Sequence, residues 1–284
     1  MNKLLSFIPE IPIADATDKV VDKITEIFAF IFDPISTHFG NFMEFFAEDF
    51  LMSIPPFIMI LLVAILAFFV SGRKFGLAIF SIIGLWLIYN QDQWENLMYT
   101  VTLVLIASIL SIVIGIPFGI LISKSNLANI IIKPILDFMQ TMPAFVYLIP
   151  AVAFFGIGMV PGVFASLIFA IPPTVRFTNL GIRQVPRELV EAADAFGSTG
   201  AQKLFKVELP MAKPTIMAGV NQTVMLALSM VVTASMIGAP GLGRDVLSAL
   251  QRADVGTGFV AGIGIVILAI IIDRLTQGAN RKKD

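Results

Sequence analysis

The sequence predicts an all-α integral membrane protein of about seven transmembrane helices, and three observations carry that reading. The first is composition: 57% of the 284 residues are hydrophobic and 14% are charged, where ordinary globular chains hold roughly 45–50% apolar and about 25% charged residues. The second is that the apolar residues come in runs of span length, because a hydrocarbon core about 30 Å thick takes roughly 20 residues of helix. The third is where the charges lie. The formal net charge is only −1, yet Lys and Arg gather in alternate connections, as expected when positive residues stay on the cytoplasmic side. A near-zero net charge and the single His38 leave no whole-chain case for nucleic-acid binding. With no Cys there is no disulfide and no thiolate metal site.

Residues 1–53 form the first segment. They lack the charged start, apolar stretch and small-residue cleavage site of a secretory signal and are expected to be retained. From Thr17 the apolar positions Val20, Val21, Ile24, Ile27, Phe28 and Ile31 recur at helical spacing among Asp18, Asp22, Lys23 and Glu26. The pattern resumes at Ile35, Phe39, Phe42, Met43, Phe46 and Phe50. Both stretches read as amphipathic helices on the outer membrane interface or against the bundle, serving as a surface anchor or as a brace.

Two spans follow within residues 54–96: Ile54–Ser71, stopped by "GRK", and the short Phe75–Asn90, ended by "QDQWEN". Residues 97–273 supply the other five: Leu97–Ser123, Pro134–Gly158, Gly162–Leu180, Pro214–Ile237 and Gly258–Asp273. A tight "MVPG" turn joins the fourth and fifth, and residues 274–284 form a basic tail. Pro117, Pro143, Pro150, Pro172 and Pro173 fall inside spans, where each removes a helix hydrogen bond and invites bending. Gly258, Gly262 and Gly264 give the last span a small-residue face, read first as helix packing and second as a dimer contact.

Fourteen of the nineteen Lys and Arg lie in the "SGRK" turn, the "KSNLANIIIK" connection, the Arg176–Lys213 segment and the C-terminal tail. Those segments are therefore expected in the cytoplasm, and an odd number of spans puts the N-terminus outside. The outer assignment suits residues 1–53, which carry nine acids and three Lys.

The cytoplasmic loop 181–213 is the longest polar interruption of the core, "ELVEAADAFGSTGAQKLFKVELP" at its centre. Pro186 precedes a predicted helix over Arg187–Phe196, with Glu188 and Glu191 in its first turns, where acids complement the helix dipole. Gly197 allows the positive φ of a helix C-terminus. A second short helix, Thr199–Glu208, is expected to close at Pro210. Ala192, Ala193 and Ala195 keep the first helix thin enough to enter a groove on another protein.

The spacing Glu191, Ala192, Ala193, then Gly197, Val207, Leu209 and Pro210 resembles the "EAA" motif of bacterial ABC-importer permeases, with Val where that family most often has Ile. The stretches around "QTMPAFVYLIPAVAFFGIGMVPG" and "VVTASMIGAPGLG" look like the glycine betaine/proline branch, and the resemblance covers roughly residues 97–277. It implies a type I ABC-importer permease fold: two copies of this chain form the pore, two ATP-binding subunits dock on the cytoplasmic face, and an external binding protein delivers the solute. It also implies that Glu188, Glu191, Ala192, Ala193, Asp194, Gly197 and Ser198 meet the ATPase, and that Leu209 and Pro210 lead the chain back into the membrane. No Walker sequence GxxxxGK[ST] occurs, so ATP and Mg are expected on the partner subunits, with no cofactor and no catalytic residue on this chain.

For the solute path the candidates are polar or aromatic residues within spans, which are costly facing lipid: Gln140, Thr141, Phe145, Tyr147, Asn221, Gln222, Thr223, Ser229, Thr233 and Ser235. Hydroxyls bonding their own helix are the competing explanation for several of these. "GAPGLGRD" reads as an external loop facing the binding protein. An ion-gradient-driven transporter or an osmotically gated channel would also account for spans and kinks; neither explains the loop.

Overall fold

Long apolar runs without water to solvate the backbone must close their hydrogen bonds locally, and every regular element in the computed structural model of residues 12–279 is helical. Lys3, Arg281, Lys282 and Lys283, which entered the charge distribution, lie outside the described residues, as does the basic tail from residue 280 onward.

Helix α1 (Ile13–Pro34) passes through a wide turn, α2 (Gly40–Glu44) and a second wide turn at Phe45–Leu51. Together they make one helical run that meets α3 (Pro56–Val70) at 94°. Helix α3 and α4 (Phe75–Asn90) form a hairpin through the Ser71–Lys74 turn. The core follows: α5 (Trp94–Lys124), α6 (Asn126–Thr141), α7 (Leu148–Phe155) and α8 (Met159–Arg183), then α9 (Arg187–Ala195), α10 (Gly200–Lys203) and α11 (Leu209–Ser235), and finally α12 (Leu242–Arg252) and α13 (Val255–Ala279). Among the described residues four helical runs, α5, α8, Gly200–Ser235 and α13, are long and apolar enough to cross a membrane, and the number reaches six if each sharply bent pair counts as one span. Helix α4, at 16 residues, is about 24 Å long by the α-helical rise and falls short of a full span.

Helix α8 is the centre of the bundle, packed on both α5 and α11. Between helices in lipid there is little hydrophobic drive, so close approach through small residues and internally bonded hydroxyls holds them together. The α5–α8 seam shows this. A Cβ on Gly119 would sit 2.5 Å from Thr178 Cβ and 2.7 Å from the Val175 carbonyl oxygen. Ser111 donates to Ala107 O at 2.7 Å and across the seam to Leu167 O at 3.3 Å, and at the α8–α11 seam Thr223 donates to Ala170 O at 2.9 Å. Gly258 and Gly264 on α13 face Ala249 and Leu242 of α12, so packing within the chain accounts for most of that small-residue face.

The N-terminal run is a brace over residues 35–51. Met43 and Ala47 are fully buried, Phe39 packs on Phe164 at 5.8 Å, Ser36 donates to Phe155 O at 3.2 Å and Tyr99 donates to Glu48 at 2.5 Å. Exposed Val20, Ile27 and Phe30 on α1 leave an apolar face uncovered.

Three expectations are corrected. The run Pro134–Gly158 is not one straight span: α6 and the Ala144–Phe155 segment meet at 109°. Pro143 has no N–H to give α6, and it holds Met142 extended at ψ 135°. By contrast Pro117, Pro172 and Pro173 remain inside continuous helices. Pro210 does not close a second loop helix. A wide turn at Leu204–Glu208, in which Leu209 N–H bonds the Leu204 carbonyl, carries the helix through, so Gly200–Ser235 is one 36-residue run; an expanded turn accommodates a ring that would clash in a regular one. Finally "GAPGLGRD" is a loop only to Gly241. Helix α12 begins at Leu242, whose N–H bonds Thr100 Oγ1 at 2.9 Å, while Asn96 Nδ2 holds Asp245 at 2.6 Å.

Candidate functional site

The bundle has two distinct ends. At one, Gly158 N–H bonds Ile237 O at 2.9 Å, tying the start of α8 to the end of α11. The other is basic: Lys124 ends α5, Arg183 ends α8, Lys133 lies in α6, and the loop that follows α8 carries Arg187, Lys203 and Lys206 and contains α9.

Helix α9 is amphipathic, yet none of its residues is buried. An amphipathic helix gains stability by covering its apolar stripe, so α9 has the character of a surface awaiting a partner. Glu188, Glu191, Ala192 and Asp194 are exposed and Ala193 is half-buried. Phe196, at the tip, is 91% exposed, an extreme value for a large aromatic ring. Sequence reading passed over Phe196; the available signal was an aromatic placed immediately before the glycine that ends a thin, alanine-rich helix.

The turn after α9 is firmly specified. Gly197 has φ +73°, Gly197 N–H bonds Asp194 O at 2.9 Å and Ser198 N–H bonds Ala193 O at 3.0 Å, the paired arrangement that closes a helix on a left-handed residue. Thr199 and Gln202 then exchange side-chain and backbone bonds of 2.9 and 3.3 Å at the start of α10. Asp194, expected as a contact residue, is exposed and accepts hydrogen bonds from Lys203 Nζ at both carboxylate oxygens, at 2.8 and 2.9 Å. Its carboxylate therefore ties α9 to α10 rather than standing free.

At the base of the loop Glu208 is buried and paired with Lys124 at the end of α5. Arg183 spans the α5–α6 connection, bonding Asn126 Oδ1 at 2.9 Å, Ile122 O at 3.2 Å and Ser125 O at 3.3 Å. Arg176 pairs with Asp137, joining α8 to α6. Leu209 is half-buried and Pro210 exposed at the point where the loop becomes α11.

The path candidates divide into two groups. Tyr147 is buried and bonds Met139 O; Thr223 and Ser235 are buried with backbone partners; Asn221 donates to Asp273 at 3.1 Å. Each of these has a hydrogen-bond partner within the bundle. Gln222, Met225, Ser229 and Thr233 instead share one face of α11, continued by its capping residue Met236, and all but the half-buried Thr233 are exposed. Along the middle of α5, by contrast, the exposed positions are Ile109, Val113, Ile114, Pro117, Phe118 and Leu121, so a Gln, Ser and Thr stripe does not suit hydrocarbon. Gln140, Thr141 and Phe145 are exposed at the α6–α7 bend, and the adjoining Tyr147 and Leu148 pack with Met230 of α11. The bend and the polar stripe are thus neighbours. Among the described residues no cluster of His, Asp and Glu is able to hold a metal.

The model of the family described as "Binding-protein-dependent transport system inner membrane component" matches residues 111–283. The glycine betaine/carnitine transport permease protein GbuB of Listeria monocytogenes is 60% identical over 97% of this chain and 98% of its own length. The glycine betaine transport system permease protein OpuAB of Bacillus subtilis is 52% identical over 97% of each chain. A structure of the MetNI methionine ABC transporter in an inward-facing conformation aligns with a TM-score of 0.60 at 21% identity, covering 69% of this chain and 97% of its own, a likeness of fold. The expected importer fold is thereby met. This chain belongs to the inner-membrane components of binding-protein-dependent transport systems.

Proposed function

We propose that this chain is the membrane-spanning subunit of an ATP-driven importer for glycine betaine or a related compatible solute, and that α9 is where force from the ATP-binding subunits enters. The observation that carries the reading is the solvent-bare amphipathic α9, held at a fixed angle by Gly197 and the Asp194–Lys203 pair. Glu188, Glu191, Ala192, Ala193, Phe196 and Ser198 form the contact surface. Relatives named for glycine betaine support the solute class.

The unbroken Gly200–Ser235 helix supplies the mechanics. It is about 54 Å long by the helical rise. Because α9 is tied to its first turn, a displacement of α9 moves a rigid rod that carries the Gln222–Met236 stripe at its far half, in the manner of rigid-body switching. That stripe, with Gln140, Thr141 and Phe145, lines the solute path against a second copy of this chain. Glycine betaine has no net charge, so a weakly polar lining of this kind lets it pass without trapping it.

The basic end faces the cytoplasm, the N-terminal run braces the bundle from outside, and the C-terminus is cytoplasmic. Two ATP-binding subunits hold ATP and Mg, and an external binding protein presents the solute near the α12 end. The test is uptake of radiolabelled betaine into liposomes carrying the purified complex. Uptake that depends on internal ATP supports the importer; uptake driven by an ion gradient in the absence of ATP-binding subunits would overturn it.

A further inference from the structure

A groove of about 450 Å³ runs between the start of α4 and the end of α13. Lys74 and Arg274 line it together with Gln277, and beyond them the walls are Leu77, Phe80 and Ile270. No Asp or Glu lines the groove. Neither cation belongs to any of the three ion pairs, Lys124–Glu208, Arg176–Asp137 and Lys203–Asp194, found among the described residues. The nearest acid in sequence, Asp273, is engaged by Asn221 at 3.1 Å and by Gln277 at 2.8 Å, so it is already occupied by two amides.

The polarity of the groove runs along the helices. Lys74 stands at the start of α4 and Arg274 near the end of α13, both at a helix end where the bundle leaves hydrocarbon. One turn inward the lining becomes apolar, and the flanking outer surface is hydrocarbon-facing: Phe75, Ile79 and Val266 are 68%, 52% and 56% exposed. Two cations at the headgroup level above an apolar trough match one kind of molecule in charge and in shape. A soluble anion would use the cations and leave the trough empty; a zwitterionic lipid would use the trough and leave a net positive charge.

We propose that the α4–α13 groove binds an anionic phospholipid, with the headgroup phosphate between Lys74 and Arg274 and an acyl chain along Leu77, Phe80 and Ile270. Basic pockets between spanning helices recognise such headgroups by charge. The site stands on the hairpin α3–α4 and on α13, and it does not depend on the importer reading.

The test is native mass spectrometry of the protein purified in detergent and exposed to phosphatidylglycerol or phosphatidylcholine. The unmodified protein should retain phosphatidylglycerol in preference. The double variant Lys74→Gln, Arg274→Gln should retain it roughly thirtyfold less, at about fivefold per cation, with phosphatidylcholine retention unchanged. Arg73→Gln, in the same turn but outside the groove lining, should alter retention less than about twofold. Inorganic phosphate should fail to displace the lipid. Equal retention by the double variant, an equal loss in Arg73→Gln, or displacement by phosphate alone would each overturn the proposal, the last in favour of a free-anion site.

Discussion

Replacing Gly197 separates backbone geometry from side-chain contact in the loop that α9 presents. The residue sits at φ +73°, and a Cβ built there meets nothing within 4 Å, so substitution acts only through the left-handed conformation. For an ordinary L-residue that conformation costs about 1–2 kcal/mol, less for Asn and more for a β-branched side chain. Opposing the strain are two turn hydrogen bonds, the Thr199–Gln202 box and the Asp194–Lys203 pair, worth together about 2–3 kcal/mol at roughly 0.5–1 kcal/mol each once the exposed ion pair is discounted. Asn should therefore keep ATP-driven uptake near wild type, Ala should lower it by no more than about twofold because the turn retains roughly 0–2 kcal/mol of net stability, and Val, with its larger β-branched strain, should lower it severalfold or more. Uptake in proteoliposomes gives the order, with membrane insertion measured in parallel. Wild-type uptake by Gly197→Val, or an Asn variant as impaired as Val, would refute the geometric account of the turn.

Three further outcomes are expected. Phe196→Ala should shift the thermal midpoint very little, within about 0.5 kcal/mol of stability, while reducing copurification of the ATP-binding subunits about tenfold or more, as an exposed aromatic anchor would; normal copurification would remove Phe196 from the contact surface. Lys124→Met should destabilise the detergent-solubilised protein by about 1–3 kcal/mol, below the fully buried range because Lys124 is 44% exposed. The double variant with Glu208→Gln should recover most of that loss, and a double variant as unstable as Lys124→Met alone would show that the pair is not coupled. Hydrogen bonds from Thr257, the side-chain one at 2.7 Å, hold the Asp254 carboxyl below its ordinary value at the start of α13. Its contribution is thus present above the unfolded-state carboxylate pKa and disappears as pH falls through the lowered folded value. An acid-unfolding curve should lose that segment in Asp254→Asn, and an unchanged curve would count against it.

What was legible in sequence was whatever depends on solvent and local chain chemistry. Apolar run length located α3, α4, α5 and α8 within about three residues at each end and α13 within six, because a long apolar run in hydrocarbon closes its backbone hydrogen bonds as helix. Gly197 was readable as a left-handed stop, and Pro186 as the start of α9, because both follow from backbone sterics alone. The loop motif was readable at the level of family because its spacing is that of a helix, a turn and a return to the membrane.

Other features required the tertiary structure. Five prolines carry the same local message, yet only Pro143 separates two helices at a right-angle bend; Pro117, Pro172 and Pro173 stay within helices held by packed neighbours on both sides. Pro210 likewise looked like a terminator, and only the wide turn before it lets α10 and α11 act as one rod. Asp194 offered a charge for a partner until Lys203, nine residues on, was folded back to meet it. Ser, Thr and Gln along α11 are alike in sequence, and burial alone divides the packing residues Thr223 and Ser235 from the exposed stripe Gln222, Ser229 and Met236. The physical reason is common to all four cases. A local signal sets what a residue prefers, whereas which neighbour satisfies or overrides that preference depends on residues distant in the chain.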